Sequence, residues 1–411
     1  MAHLHLFNPE NDLALADGGR FYTPPPLARA IARDLSTLPL WYARQGDVVC
    51  LPAPDFAASL DVSPVLLGQS CRVCSPKRLA GDVDGYTPWG WSREVAQRLL
   101  RYGADPALLP SDTMLQCQRE WSHRIRTREV FEYLENCSVD LPDEWPTLFS
   151  DEESVARFVS AHERTMLKAP WSGSGKGLCR TRGVYDLVTA RWTQGVLRRQ
   201  GEVVGEPFWD KESDMAMEFY SDGDRVVFAG YSWFTTDERG TYKGNLLLSD
   251  AAIEARISTR LDIGTVRRVR DCLETFFTRR LASVYRGYFG VDMMIYRHAG
   301  TWALHPCVEI NLRMNMGMVS RLFYDRYVAA GSEGLYRVDY FPDAGQLLAD
   351  HRRRQAEAPL SIDGTRLTIC RSTPSVPIPA TGRRSRCGRR LRATVSETFS
   401  APDRAAEWAA P

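Results

Sequence analysis

With 411 residues, the chain exceeds what one hydrophobic core usually holds, and two or three domains are expected. Its composition, 44% hydrophobic and 25% charged, is globular and excludes a chain disordered throughout. A formal net charge of +1 supplies no global field for nucleic acid or a membrane surface, and no apolar stretch approaches the ~20 residues that cross a bilayer. Met1 to Leu6 lacks the basic region and apolar run of a signal peptide, so a cytoplasmic protein is expected. The ten cysteines are scattered. Only Cys71 and Cys74 form C-x-x-C, with no second pair or nearby histidine to complete a zinc set, so reduced thiols are expected.

Residues 1–110 read as an α/β unit. His3 to Phe7 alternates polar and apolar residues, as a half-buried first strand would. It runs into Asn8-Pro9-Glu10-Asn11-Asp12. Ligands of open α/β sheets sit beyond the C-terminal ends of strands, which makes Asn8, Glu10, Asn11 and Asp12 candidate substrate contacts. A turn also suits Asn and Asp on conformational grounds alone. Helices follow near Leu27 to Leu35 and Arg93 to Tyr102, with a strand at Val48 to Leu51 between them. Residues 111 to about 136 read as one basic helix, and Pro142 and Pro146 mark a boundary after it.

The linker helix and a small α+β lid occupy 111–205. The lid opens on a capping-box pattern at Ser150 to Glu153, carries a strand at Thr165 to Ala169 and a helix from about Asp186 to Arg199, and leaves as a strand at Glu202 to Pro207. Residues 206–365 form a meander. Strands at Asp214 to Tyr220 and Val226 to Phe234 precede a long helix at about Gly264 to Tyr285, whose apolar positions recur at steps of three and four. From about 366 to 411, proline and the basic run Arg383 to Arg390 replace apolar periodicity, and a disordered basic tail is expected.

Two stretches carry the chemistry. Met166 to Leu178 sets Lys168 on a strand just ahead of the loop Ser172-Gly173-Ser174-Gly175-Lys176-Gly177. It is not a P-loop, because G-x-x-x-x-G-K-S/T needs glycine where Pro170 stands and Ser or Thr where Gly177 stands. It is not the dinucleotide fingerprint, because the glycines run G-x-G-x-G, and no kinase H-R-D or D-F-G is present. A lysine and bare backbone N–H groups suit phosphate oxygens, although a plain hairpin turn would use the same glycines. The second stretch, Gly290 to Tyr296 followed by Val308 to Arg313, reads as a hairpin. A turn near Ala299 to Thr301 sets Asp292 roughly opposite Glu309, and period two places Glu309 and Asn311 on one face. Two acids so close repel unless a cation lies between them, and two carboxylates with an amide oxygen suit Mg²⁺ on a phosphate-bearing substrate; a structural hydrogen-bond cluster is the alternative.

Over roughly residues 115 to 325, these elements and their order resemble the ATP-grasp superfamily. The resemblance implies an ATP-grasp fold: an N-terminal α/β pre-grasp domain, a small lid and a C-terminal antiparallel-sheet core. It implies ATP as co-substrate with Mg²⁺, or alternatively Mn²⁺, held by Asp292, Glu309 and Asn311. Lys168 is similar to the strand lysine on the α- and β-phosphates, and Ser172 to Gly177 to the loop that closes over them. Val204, Glu206 and Phe208 are similar to the hinge at adenine, Asp214 to an acid on the ribose, and Lys243 to a lysine reaching the γ-phosphate. Arg313 is similar to an arginine that holds an acyl-phosphate or its carboxylate, with Arg286 as a second candidate. The activity implied is a carboxylate–amine (or thiol) ligase acting through an acyl-phosphate on small, amino-acid-like substrates. A phosphotransferase with another acceptor and a silent nucleotide-binding regulator are the alternatives.

Overall fold

The computed structural model describes residues 2–52, 71–173, 175, 177–237, 240–357, 361–363, 366–369 and 390–397. The N-terminal strand β1 (His3–Leu6) lies inside a parallel sheet with β2 (Val48–Cys50), β3 (Arg72–Cys74) and β4 (Gly85–Pro88), in the order β3-β2-β1-β4. Leu4, Val48, Cys50, Tyr86 and Leu99 form its core. Beyond β1 the chain turns into α1 (Asn11–Asp17), which stops at Gly18 in the left-handed region (φ +75°), where glycine carries no Cβ penalty. Helices α2 (Pro26–Asp34) and α3 (Arg93–Arg101) follow, α3 capped by the Ser92 hydroxyl.

The single helix expected over 111–136 is two, α4 (Asp112–Trp121) and α5 (Thr127–Glu135), joined by a 3-10 turn at Arg124–Arg126. His123 is extended here, and its Nδ1 accepts the Ile125 N–H at 3.1 Å. Contacts distant in sequence hold this break: His123 Nε2 meets Glu202 at 3.2 Å, and its ring stands edge-on to Trp171. The break aims Arg124 inward.

The second sheet runs β5-β8-β6-β7, with β5 (Thr147–Phe149), β6 (Thr165–Lys168), β7 (Leu178–Thr181) and β8 (Val203–Pro207), all antiparallel. Helices α6 (Glu152–Ala161) and α7 (Leu187–Gln200) pack on it through Val155, Val159, Leu167, Val196 and Val203. Asp151, rather than Ser150, caps α6 by accepting the Ser154 N–H.

The large sheet contains β9 (Asp210–Ser221), β10 (Val226–Thr236), β11 (Tyr242–Leu247), β12 (Gly287–His298), β13 (Thr301–Asn311) and β14 (Gly334–Phe341). Its order is β13-β12-β9-β10-β11-β14-β17, where β17 is Arg390–Glu397. After α8 (Asp250–Ile257) comes α9 (Ile263–Arg280), whose stripe Val266, Val269, Leu273, Phe276 and Phe277 is buried against β9 and β10. This helix ends before the expected Tyr285, and residues 281–284 turn into β12. Helices α10 (Met316–Tyr327) and α11 (Ala344–Glu357) complete the unit.

The β12–β13 turn uses Ala299 (φ +47°) and Gly300 (φ +82°), the two left-handed positions of a tight hairpin. Pairing begins in step, with His298 against Thr301 and Met294 against His305, then slips by two residues. Unbroken pairing would bring Cys307 opposite Asp292; the slip brings Glu309 there instead. Pro306, which has no N–H to give a ladder, lies in the slipped segment.

The tail expected to be disordered contains β16 (Arg366–Ile369), paired with β15 (Ser361–Asp363), and β17, paired along β14. Most of the basic run, residues 383–389, lies outside the described residues. Among the described residues no helix is long and apolar enough to cross a membrane, and the described cysteines, Cys71 and Cys74 among them, form no disulfide.

Candidate functional site

A cavity of about 330 Å³ opens where the lid sheet, the β12–β13 hairpin and the loop after β1 meet. Its walls include Lys168, Glu206, Phe208, Asp214, Asp292, Glu309, Asn311 and Arg313, together with Gly173, Gly175 and Asp12. Residues far apart in sequence thus share one cleft, as the strand-and-loop reading expects.

On the hairpin, Asp292 lies directly opposite Glu309, and Gly290 opposite Asn311. Burial pushes the Asp292 carboxyl up to about 7, the Glu309 charge pushes the same way, and the Asn311 hydrogen bond and the Arg313 charge oppose them. A cation between the two acids would relieve both the desolvation and the repulsion. Among the described residues no group of three or more His, Cys, Asp or Glu is placed to hold a metal, so such a cation depends on the Asn311 amide oxygen as well as on the two carboxylates. This hard-oxygen set fits Mg²⁺.

Lys168, buried at the end of β6, forms an ion pair with Glu206 on β8, and its Nζ lies 3.5 Å from the Val308 carbonyl, next to Glu309. Phe208 is flanked by the guanidinium groups of Arg164 and Arg180, 5.1 and 5.2 Å from its ring centre. Val204 is buried inside the lid sheet and does not border the cavity. Asp214 accepts the Thr236 hydroxyl at 2.8 Å and pairs with Lys211.

The glycine loop is anchored at Trp171. Its backbone N–H and C=O both bond the Gln200 amide, at 2.9 and 3.1 Å, its indole donates to the Arg119 carbonyl, and the Arg119 guanidinium stacks 3.8 Å from its ring. Beyond it the loop folds back on itself: a Cβ at Gly177 would fall 2.2 Å from the Ser172 hydroxyl oxygen. Gly173 and Gly175 face the cleft, Gly175 at φ +72°. Ser174 and Lys176 lie outside the described residues.

Several expected contacts are placed elsewhere. Lys243 alternates away from Tyr242, which lines the cleft; its side chain is 61% exposed, 3.9 Å from Asp237. Arg286 precedes the far end of β12 and donates to the Asp222 carbonyl at 2.8 Å. Asn8 clamps Gly90, donating to its carbonyl and accepting its N–H. Glu10 is buried in an ion pair with Arg98 at 2.9 Å; Asn11, packed under Gly90, also lines a small pocket beside the cleft with Asp12, Glu309, Asn311 and Arg313. Of that turn only Pro9 and Asp12 border the main cavity.

Three cleft residues lacked a clear sequence signal. Arg124 bridges the loop and the hairpin: Nη1 meets Glu309 at 2.9 Å, and Nη2 donates to the Ser172 carbonyl and hydroxyl oxygens at 3.1 and 3.2 Å. Glu218, a lone acid in the apolar run Met215 to Phe219, is buried, and its carboxyl is pushed up to about 8 chiefly by desolvation. It accepts the Asn315 amide at 2.8 Å, while Asn315 caps α10. Gly290 and Gly317 make room for it, since a Cβ at either would fall 2.6 or 2.3 Å from a Glu218 oxygen. Gly317→Ala is therefore expected to destabilise the fold by about 1–3 kcal/mol. Gly81→Ala, with nothing within 4 Å of the new methyl, serves as the neutral control in thermal unfolding.

The sequence matches no protein-family model and no curated protein. The structure is similar to that of N5-carboxyaminoimidazole synthetase from Staphylococcus aureus, solved with ADP, at 11% identity over 97% of this chain and 94% of that one, with a TM-score of 0.50. It is also similar to N5-carboxyaminoimidazole synthase from Aspergillus clavatus, solved with ADP and 5-aminoimidazole ribonucleotide (12% identity, 97% and 94% covered, TM-score 0.48). D-alanyl-alanine synthetase A from Vibrio cholerae gives 10% identity, 77% and 89% covered and a TM-score of 0.42. The first of these is an ATP-grasp enzyme, and the mixed α/β chain described here has the same fold, the ATP-grasp fold.

Proposed function

We propose that the protein is an ATP-dependent ligase that activates a small carboxylate as an acyl-phosphate and transfers the acyl group to an amine. The observation that carries this reading is that the Lys168 ammonium and the opposed Asp292–Glu309 pair border one cleft beneath a glycine loop. Asp292, Glu309 and Asn311 would hold Mg²⁺, which when bound neutralises phosphate charge. Lys168 and Arg124 add fixed positive charge, and the backbone N–H groups of the loop suit phosphate oxygens. Phe208 with the chain around Glu206 supports the adenine, and Asp214 the ribose. Arg313 supports the acid.

In the proposed reaction a carboxylate oxygen attacks the γ-phosphorus, the bond to the bridging oxygen breaks, and ADP departs with that electron pair. Such phosphoryl transfer depends on positioning and electrostatics more than on a protein nucleophile. The amine nitrogen then attacks the acyl carbon, the C–O bond to phosphate breaks, and the nitrogen gives up a proton. The loop excludes water that would hydrolyse the intermediate, a role in keeping with its glycines and its fixed root at Trp171. Dependence on ATP supports the cytoplasmic setting expected from the sequence.

Incubation with ATP, Mg²⁺, hydroxylamine and a panel of carboxylic acids tests the reading. ADP together with a hydroxamate is the expected result. ADP with a stable phosphorylated product would replace the ligase by a phosphotransferase, and neither product would leave a nucleotide-binding protein without turnover.

A further inference from the structure

Beyond the proposed metal ligands, the cleft wall continues across β12 to Glu218 on β9. Gly290 of β12 pairs with Asn311 on one side and with Glu218 on the other. Paired strands lie about 4.8 Å apart, so about 10 Å of backbone separates Asn311 from Glu218, with a residue that has no side chain between them. The Glu218 carboxyl shares this wall with Ser232, Tyr242, Asn245 and Asn315, all uncharged. Three of these are bonded to one another: the Tyr242 hydroxyl donates to the Asn245 amide oxygen, and the Asn245 amide donates to the Ser232 hydroxyl at 2.6 Å. Asn315 donates to Glu218 Oε2 at 2.8 Å, while Oε1, on the side of Gly317, makes no hydrogen bond among the described residues. No cation among the described residues pairs with Glu218, and the charges that act on it, Asp292 and Arg313, are opposite in sign. A glutamine would give Asn315 the same acceptor without burying an ionisable group, so the fold alone does not call for an acid here.

We propose, resting on the ligase reading, that Glu218 is the base that takes a proton from the amine before it attacks the acyl-phosphate. A primary amine is an ammonium near neutral pH and has no lone pair to attack with. Before it arrives, desolvation holds the Glu218 carboxyl up at about 8, so the group is mostly protonated. Tyr242 of β11 is the other titratable group facing it, and burial keeps that hydroxyl protonated. A docking ammonium supplies the opposite charge that favours ionisation, and the carboxyl proton passes to solvent. The carboxylate then takes a proton from the nitrogen: the N–H bond breaks, its electron pair stays on nitrogen, and Glu218 is again a neutral acid. Desolvation favours this neutral pair over the ion pair, because burial disfavours both charged forms. The freed lone pair forms the N–C bond, the C–O bond to phosphate breaks with its electrons on oxygen, and the second nitrogen proton leaves with the phosphate. The span between Asn311 and Glu218 sets the activated carbonyl between the metal end of the cleft and the base.

Two kinds of nucleophile test this on the full chain, with ATP, Mg²⁺ and the carboxylic acid that yields most hydroxamate. Hydroxylamine is uncharged at neutral pH and needs no base. Ammonia and a panel of primary amines arrive as cations. Glu218→Gln, which keeps the acceptor for Asn315, is expected to hold hydroxamate formation within about two-fold and to lower amide formation by about 100-fold or more at neutral pH. Raising the pH, which supplies free amine, is expected to narrow that gap. Glu218→Asp keeps a carboxyl, set back by one methylene; it is expected to show the same split in weaker form and stands in if Glu218→Gln does not fold. A purely structural Glu218 would lower both products alike, and that result overturns the inference. Normal amide formation by Glu218→Gln overturns it too, as does hydroxamate without amide from any amine of the panel in the unaltered protein. Neither ADP nor hydroxamate from the unaltered protein overturns the ligase reading, and this inference with it.

Discussion

Glu309→Gln is expected to lower Mg²⁺-dependent ADP formation by more than ~100-fold, about 2.7 kcal/mol of lost transition-state stabilisation. The change keeps the side chain's size but removes one of the two charges that face the proposed cation. Its effect on folding should be small, because two terms oppose each other. The 2.9 Å contact with Arg124 is weakened, but Arg124 keeps its hydrogen bonds to Ser172. The repulsion that Glu309 exerts on Asp292 disappears. Paired measurements of ADP release and thermal unfolding check this. Near-normal turnover in Glu309→Gln would remove Glu309 from the metal set and undo the assignment of the hairpin.

Lys168→Met is expected to abolish ADP formation and also to destabilise the protein. Glu206, 4% exposed, has its ion pair with Lys168. Removing one member of a buried pair leaves the other charged and desolvated, at a cost of about 3–5 kcal/mol. The double variant Lys168→Met/Glu206→Gln removes the stranded charge and should recover most of that stability without recovering turnover. Denaturant unfolding and ADP release, measured on both variants, separate the two roles. ADP formation in the stable double variant would exclude Lys168 from the phosphate site, and native stability of the single variant would show that Glu206 does not rely on it.

What could be read in advance follows the range of the forces involved. The apolar stripe of α9 and the two-residue parity of Glu309 and Asn311 are local patterns, and both are present in the structure. The break between α4 and α5 is not local: neither glycine nor proline marks it, and His123 is held by Glu202 and Trp171. In sequence Arg124 is therefore one arginine among several on a basic helix, although it reaches Glu309. Lys243 and Arg286 have suitable charge and chain order, but which face or which end of a strand a residue occupies depends on pairing partners that the sequence does not state. In Asn8 to Asp12, similar polar residues occupy one turn, and only the packing of Gly90 and Arg98 decides that Asp12 turns to the cleft. For β17, Leu391, Ala393 and Val395 do alternate with polar neighbours. The surrounding proline and arginine obscured that short pattern, and the strand's partner, β14, lies far back in the chain.

The two-residue slip between β12 and β13 falls on the outermost strand of the large sheet, while β12 keeps unbroken step with β9 from Gly287 to Ile295. The count that selects a carboxylate rather than the Cys307 thiol as the neighbour of Asp292 is thus kept at the rim, apart from the strands that carry most of the buried apolar contacts. Losing or gaining a residue pair there would leave the interior ladder intact and yet exchange a hard oxygen donor for a soft sulfur one. On the proposed assignment, the metal preference of this hairpin and the stability of the sheet beneath it are therefore separable properties of the same strand pair.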